Sequence, residues 1–125
     1  MKKAISTSKA PKAIGPYSQA IQSDRLLFIS GQLPIDPSSG EFAGEDIVSQ
    51  TNQVIKNIAS ILESEGGSLD NIVKTTVFLS DMNDFAAMNE IYNSYFKAPF
   101  PARSTIEVSR LPKNARVEIE AIAVI

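Results

Sequence analysis

The chain has no cysteine and no histidine in its 125 residues. Those two absences remove disulfides, thiolate nucleophiles, imidazole bases and nearly every zinc or haem site at once. No metal or other cofactor is expected, and any acid or base has to be a carboxylate, a lysine or a tyrosine. Long apolar runs are missing as well. No stretch approaches the roughly 20 residues needed to span a bilayer, and Lys2 and Lys3 are not followed by an apolar core of signal-peptide length, so a cytoplasmic location is expected. Neither sign of charge dominates: 12 basic residues against 14 acidic ones leave a formal net charge of −2. There is no basic stripe interleaved with aromatics, the pattern a nucleic-acid surface needs.

The composition that remains, 43% hydrophobic and 21% charged, is that of an ordinary globular protein. The length fits one domain spanning residues 1–125, large enough to bury roughly two-thirds of the surface of its unfolded chain. Residues 17–22 and 25–30 read as two short strands around the turn at Ser23 and Asp24, followed by a surface loop rich in Gly, Pro and Asp through Gly44. From 45 to 64, Ile47, Val48, Thr51, Val54, Ile55, Ile58, Ile61 and Leu62 keep helical spacing, and Gly66-Gly67 supplies a stop. The β-branched and aromatic run 72–79 is a strand. Asp81 or Asn83 can then cap a second helix carrying Phe85, Met88, Tyr92, Tyr95 and Phe96, which Pro99 ends.

The last quarter reads as a hairpin. Its arms, 103–108 and 117–125, both alternate at a period of two, and a polar loop with Pro112, Lys113 and Asn114 joins them. If that loop closes an antiparallel pair, Val117, Ile119, Ala121 and Ala123 share an apolar face with Ser104, Ile106 and Val108. The other face then collects Arg103, Thr105, Glu107, Glu118 and Glu120. Ala121 and Ala123 are small enough to let helices pack closely.

The expected order is therefore β-β-α-β-α-β-β, an α+β mixed sheet with both helices on one face. Two helices cover only one side of such a sheet, yet Leu26-Leu27-Phe28-Ile29 and much of 73–79 are apolar on both. Self-association through the open face into a closed homo-oligomer, with sites between subunits, is the economical cover.

Seven stretches, in order along essentially the whole chain, carry a resemblance: Ile14-Gly15-Pro16-Tyr17-Ser18-Gln19-Ala20, Ile29-Ser30-Gly31-Gln32, Val73-Lys74-Thr75-Thr76-Val77-Phe78-Leu79, Asp81-Met82-Asn83-Asp84-Phe85, Phe100-Pro101-Ala102-Arg103-Ser104, Arg110-Leu111-Pro112-Lys113 and Val117-Glu118-Ile119-Glu120-Ala121. They resemble the YjgF family of reactive intermediate deaminases, often called RidA. The resemblance implies a chorismate-mutase-like fold, a homotrimer with three intersubunit clefts, and hydrolysis of 2-imino or 2-enamino acids to 2-keto acids and ammonia. Carried over position by position, Arg103 would bind the substrate carboxylate and Glu118 would position or activate water. Tyr17, Ser30, Gly31 and Asn89 would line the pocket. Thr105, also counted among the substrate contacts, stands where many members have cysteine, a departure that removes any essential thiol role here.

The residue types suit that chemistry. A guanidinium is permanently charged and offers a planar pair of donors to a carboxylate. An iminium carbon is already electrophilic, so orienting it beside a water supplies much of the rate gain. Glu120 near Glu118 would raise a carboxyl pKa, and Arg103 would oppose that. Competing readings remain open at this point. Arg103 could be a structural ion-pair partner for Glu107, Glu118 or Glu120, and the two glutamates a solvated strand face. The tyrosines at 92 and 95 read as helix packing. A ligand-sensing interaction protein would use the same cleft without requiring Glu118. The ribonuclease and translation-inhibitor labels that some members of the family carry find no basic surface here.

Overall fold

In the computed structural model, which describes all 125 residues, six strands and two helices run in the order β1 (Lys2–Ile5), β2 (Ala20–Ser23), β3 (Leu26–Gln32), α1 (Ile47–Glu63), β4 (Ile72–Leu79), α2 (Phe85–Tyr95), β5 (Ala102–Glu107) and β6 (Val117–Val124). Helix α1 forms where the 3.6-residue pattern places Val54, Ile55, Ile58, Ile61 and Leu62 on one stripe, and all five are fully buried. Asp46 caps it by accepting from the Ser49 N–H at 2.9 Å. At its far end Gly66 adopts a left-handed φ of 75°, and the Gly67 N–H turns back to the Leu62 carbonyl at 2.9 Å. Asp81 caps a short 3₁₀ turn, Met82–Asp84, that leads into α2.

The strands form one mixed sheet in the order β1-β2-β3-β6-β4-β5, with β4 and β5 parallel and all other neighbours antiparallel. Both helices lie on one face. There α1, α2 and the inward side chains of the sheet share a core of 20 buried residues. Each fully buried Ile or Leu contributes about 1.5–3 kcal/mol. Ala121 and Ala123 are buried beneath the helices, as their size requires. On the other face Leu26, Phe28 and Ile106 stay 40–44% exposed, so the apolar side without helices is uncovered. No helix is long and apolar enough to cross a membrane.

Three expectations need correction. Strand β1 pairs with β2 and went unforeseen, because three of its four residues are exposed and carry no periodic signal. Strand β2 begins at Ala20, which leaves Tyr17 in the preceding loop. Most consequentially, β5 and β6 are not a hairpin, because β4 lies between them. Thr75 of β4 faces Arg103 on one side and Ala121 on the other, while Phe78 faces Ile106 and Glu118. Directly opposed residues share a face. Arg103, Thr105 and Glu107 therefore lie on the helix side with Val117, Ile119 and Ala121, and Ser104 and Ile106 lie on the open side with Glu118 and Glu120. Within each strand the alternation holds; between the two strands the expected parity is reversed.

Candidate functional site

Arg103 enters the helix layer at the rim, where β5 is the edge strand. Helix α2 meets it with residues four and three apart, Phe85, Asn89 and Tyr92, which helical geometry places on one stripe. Arg103 Nη1 donates to Asn89 Oδ1 at 2.7 Å, and the guanidinium carbon lies 4.7 Å from the Tyr92 ring centre and 5.6 Å from that of Phe85. Stacking of this kind contributes about 0.5–2 kcal/mol, more as the cation is desolvated. No carboxylate pairs with Arg103: the chain's ion pairs are Lys3 with Glu65 at 3.8 Å and Arg116 with Asp84 at 3.3 Å. The chain itself therefore gives Arg103 no ion-pair partner. Nε and Nη2 have no hydrogen-bond partner in the chain, so one flat edge of the guanidinium is open to an anion. Arg103 lines a cavity of about 370 Å³ with Asn89, Tyr92, Asn93, Phe100 and Pro101. Two residues along the same strand face, the Thr105 hydroxyl is buried without a partner.

Burial pushes the Tyr92 phenol above its ordinary pKa of 10.0, against a smaller lowering from its hydrogen bond to Thr75 and from the charge of Arg103. At neutral pH the ring is therefore an uncharged stacking surface and not a counter-ion.

Glu118 occupies the opposite face. Strand β3 shifts register between Ile29 and Gln32, so that Ser30 and Gly31 bulge beside it. The bulge is fastened to the incoming loop: Ser30 Oγ donates to the Ser18 carbonyl at 2.6 Å, and the Ser30 N–H to the Gln19 carbonyl at 3.0 Å. Gly31 packs so closely on Glu118 that a Cβ there would stand 2.9 Å from the carboxyl carbon and closer still to one of its oxygens. Half-burial holds the Glu118 carboxyl above its ordinary 4.5, and the like charge of Glu120 adds to the rise. Tyr17, one residue before Ser18, is 54% exposed and borders a second cavity of about 510 Å³ against the N-terminal segment, where Lys12 is the one charged residue.

The residues singled out in the sequence thus fall into two groups. Arg103, Asn89 and Thr105 gather on the helix side. Glu118, Gly31, Ser30 and, through Ser18, Tyr17 gather on the open side. Within one chain the sheet itself separates Arg103 from Glu118 and Glu120, contrary to the expectation of one arginine beside two carboxylates. Glu107 serves elsewhere, accepting from the Met82 N–H at 2.7 Å. Sequence reasoning missed Phe85, Asn93, Phe100 and Pro101, and read Tyr92 as packing alone. Tyr92 is buried and does stack on Phe96, with centroids 4.3 Å apart, but it also carries the guanidinium. The signal was available once Asn89 was chosen, since positions 85, 89 and 92 share its helical stripe.

The family model described as endoribonuclease L-PSP matches residues 7–125. A curated mouse protein, 2-iminobutanoate/2-iminopropanoate deaminase, is 54% identical over 99% of this chain and 92% of its own length. A crystal structure from the conserved Rid protein family of Yersinia pestis superimposes with a TM-score of 0.97 at 52% identity, covering 100% of both chains. Another, of E. coli TdcF with bound serine, gives a TM-score of 0.94 at 44% identity over 98% of both chains.

Proposed function

The chain belongs to the endoribonuclease L-PSP family, the YjgF/RidA proteins, and on that footing we propose that it is a 2-iminobutanoate/2-iminopropanoate deaminase. It hydrolyses reactive imine or enamine intermediates, released by pyridoxal-phosphate-dependent dehydratases, to 2-keto acids and ammonia. It works without a cofactor, in the cytoplasm, as a homotrimer. Each intersubunit cleft takes Arg103, Asn89 and Thr105 from one subunit and Glu118, Gly31, Ser30 and Tyr17 from its neighbour. The observation that carries this reading is the Arg103 guanidinium, fixed by a neutral amide and two rings, with no acid of its own chain and one edge free. That is a receptor for a small carboxylate. The relative from E. coli with serine bound, a small molecule carrying the same carboxylate, supports it.

The chemistry follows from the two halves. Arg103 pairs with the carboxylate and so sets the position of C2. Glu118, ionised, takes a proton from water as the water oxygen bonds to C2 of the iminium. The protonated carboxyl returns that proton to nitrogen, the C–N bond breaks to release ammonia, and loss of the hydroxyl proton leaves the 2-keto acid. A carboxyl whose pKa is raised by burial is better matched to both transfers than an ordinary one. The uncovered apolar face that bears Glu118 is the surface a neighbouring subunit would cover, bringing the two groups together across the interface.

Complementation tests the shared site. With imine generated by a threonine dehydratase at concentrations well below KM, Arg103→Ala and Glu118→Ala are each expected to keep about 1% or less of wild-type activity. Co-refolded in equal amounts, about a quarter of the interfaces join an intact arginine to an intact glutamate, so about a quarter of wild-type activity returns. Mixed oligomers with no recovered activity would exclude a composite site. Wild type that binds 2-oxobutanoate but adds nothing to imine hydrolysis would make the chain a ligand sensor instead.

A further inference from the structure

Behind Arg103 stands a second layer, Tyr92 and Thr75, to which the sequence reading gave no role in the site. The Tyr92 hydroxyl lies 2.7 Å from Thr75 Oγ1, both atoms buried, and Thr75 is the register partner of Arg103 on the adjoining strand. The ring between them is stacked on Phe96 on the helix side and lies 4.7 Å from the guanidinium carbon. Tyr92 is therefore held at both ends, by its backbone in α2 and by its hydroxyl on β4, so the ring cannot tilt without breaking a buried hydrogen bond. Asn89 fixes one nitrogen of Arg103 but leaves the guanidinium free to turn about that contact. The pinned ring, 4.7 Å from the guanidinium carbon, limits the turns that keep the cation against its face.

We infer that Tyr92 and Thr75 are positioning residues: together they set the plane of Arg103, and with it the angle at which a substrate carboxylate is received. This deepens the deaminase reading and rests on it for the identity of the anion. A long, flexible arginine in a cleft otherwise loses affinity to its own rotamer freedom, and the pin removes that freedom before the substrate arrives.

Four variants separate the parts. Tyr92→Leu removes the ring, Tyr92→Phe keeps the ring and removes the pin, and Thr75→Val removes the pin from the other end while Thr75→Ser restores it. For binding of 2-oxobutanoate by calorimetry, Tyr92→Leu is expected to raise Kd about tenfold, and Tyr92→Phe and Thr75→Val about two- to fourfold, with Thr75→Ser near wild type. The uncharged amide of 2-oxobutanoate makes no ion pair, so its weaker binding is expected to change less than twofold across the set. In turnover the loss should fall on KM, with kcat largely kept.

Independently of any ligand, the Arg103 Nε–H should give a ring-current-shifted NMR signal, assigned by its absence in Arg103→Lys. That signal should persist in Tyr92→Phe and collapse to the free-arginine position in Tyr92→Leu. An unshifted signal in wild type, or equal losses for acid and amide, would overturn the positioning role. A shifted signal in a wild type that neither binds nor hydrolyses would leave Arg103 oriented and sink the deaminase reading alone.

Discussion

On the helix-covered side of the sheet, Arg103 has every contact it needs to hold one orientation within its own chain: an amide, two rings and a strand partner. On the open side, Glu118 has half-burial, a neighbouring like charge and a glycine pressed against it, all of which act against its ionised form or crowd it. The difference marks a division of labour. The cation has been preorganised at the rim of a finished core, where rigid elements hold it to a narrow geometry. The acid sits half-buried beside a like charge, on an apolar face that the helices leave uncovered. A binding group gains from rigidity and a proton-transfer group from a pKa near the working pH, so each environment suits its occupant.

Kinetics should separate the two groups. Glu118→Gln keeps the shape and abolishes the base, so kcat is expected to fall about 10²–10⁴-fold with KM little altered. Arg103→Ala is expected to lower kcat/KM by about 10²–10³, mostly through KM, since the proposed pairing with the carboxylate would hold in ground and transition states alike. Steady-state assays of 2-keto acid formation decide this. If both variants lost only kcat, the split between an anchoring side and a reacting side would be wrong.

A milder perturbation targets the bulge. Gly31→Ala places a methyl group against the Glu118 carboxylate, the far end of a flexible side chain that can swing away. The fold should therefore survive with a change in Tm of a few degrees, while displacement of the carboxylate lowers kcat about 10–100-fold. A large drop in Tm would mean that Glu118 cannot move and that the bulge is a stability element first.

The same two regions show what sequence could and could not convey. Strand β4 and helix α1 were legible because their periodicity is strong and nothing competes with it: five buried aliphatics keep the α1 stripe, and five of the eight residues of Ile72–Leu79 are β-branched. The alternation inside β5 and β6 was equally plain. What failed was the step from neighbours in sequence to neighbours in the sheet. A short polar link between two alternating runs looks like a hairpin, but the crossover through α2 sets β5 down beside β4, on the far side from β6. Polarity then misled. An arginine is expected to face away from the helices, and here it faces them, because at an edge strand its stem can lie under α2 while Asn89 and two rings receive the charge. The runs 26–29 and 73–79, apolar on both faces, carried the expectation of a covering partner, and Phe28 does lie exposed on the outer face; Ile106, expected on the helix-packed side, joins it there as part of the reversal.

The smallest effect expected is a shift in pH. Burial is the larger cause of the raised Glu118 pKa and the charge of Glu120 the smaller. The proposed base, Glu118, has to be ionised to take a proton, so on that proposal activity should rise with pH along a limb lying above the ordinary carboxylate value. Glu120→Gln removes the repulsion and moves that limb to lower pH, without bringing it all the way to the ordinary position, because burial remains. Stability carries the same group with its own sign. A carboxyl with a raised folded pKa binds its proton more tightly folded than unfolded, so stability falls as pH rises from near 4.5 through the raised value, and stays lower above it. Thermal midpoints across that window should therefore slope downward in wild type, slope less in Glu120→Gln, and lose this contribution in Glu118→Gln. If Glu120→Gln moved neither the activity limb nor the slope, the two carboxylates would be electrostatically independent, and burial alone would tune the open side of the sheet.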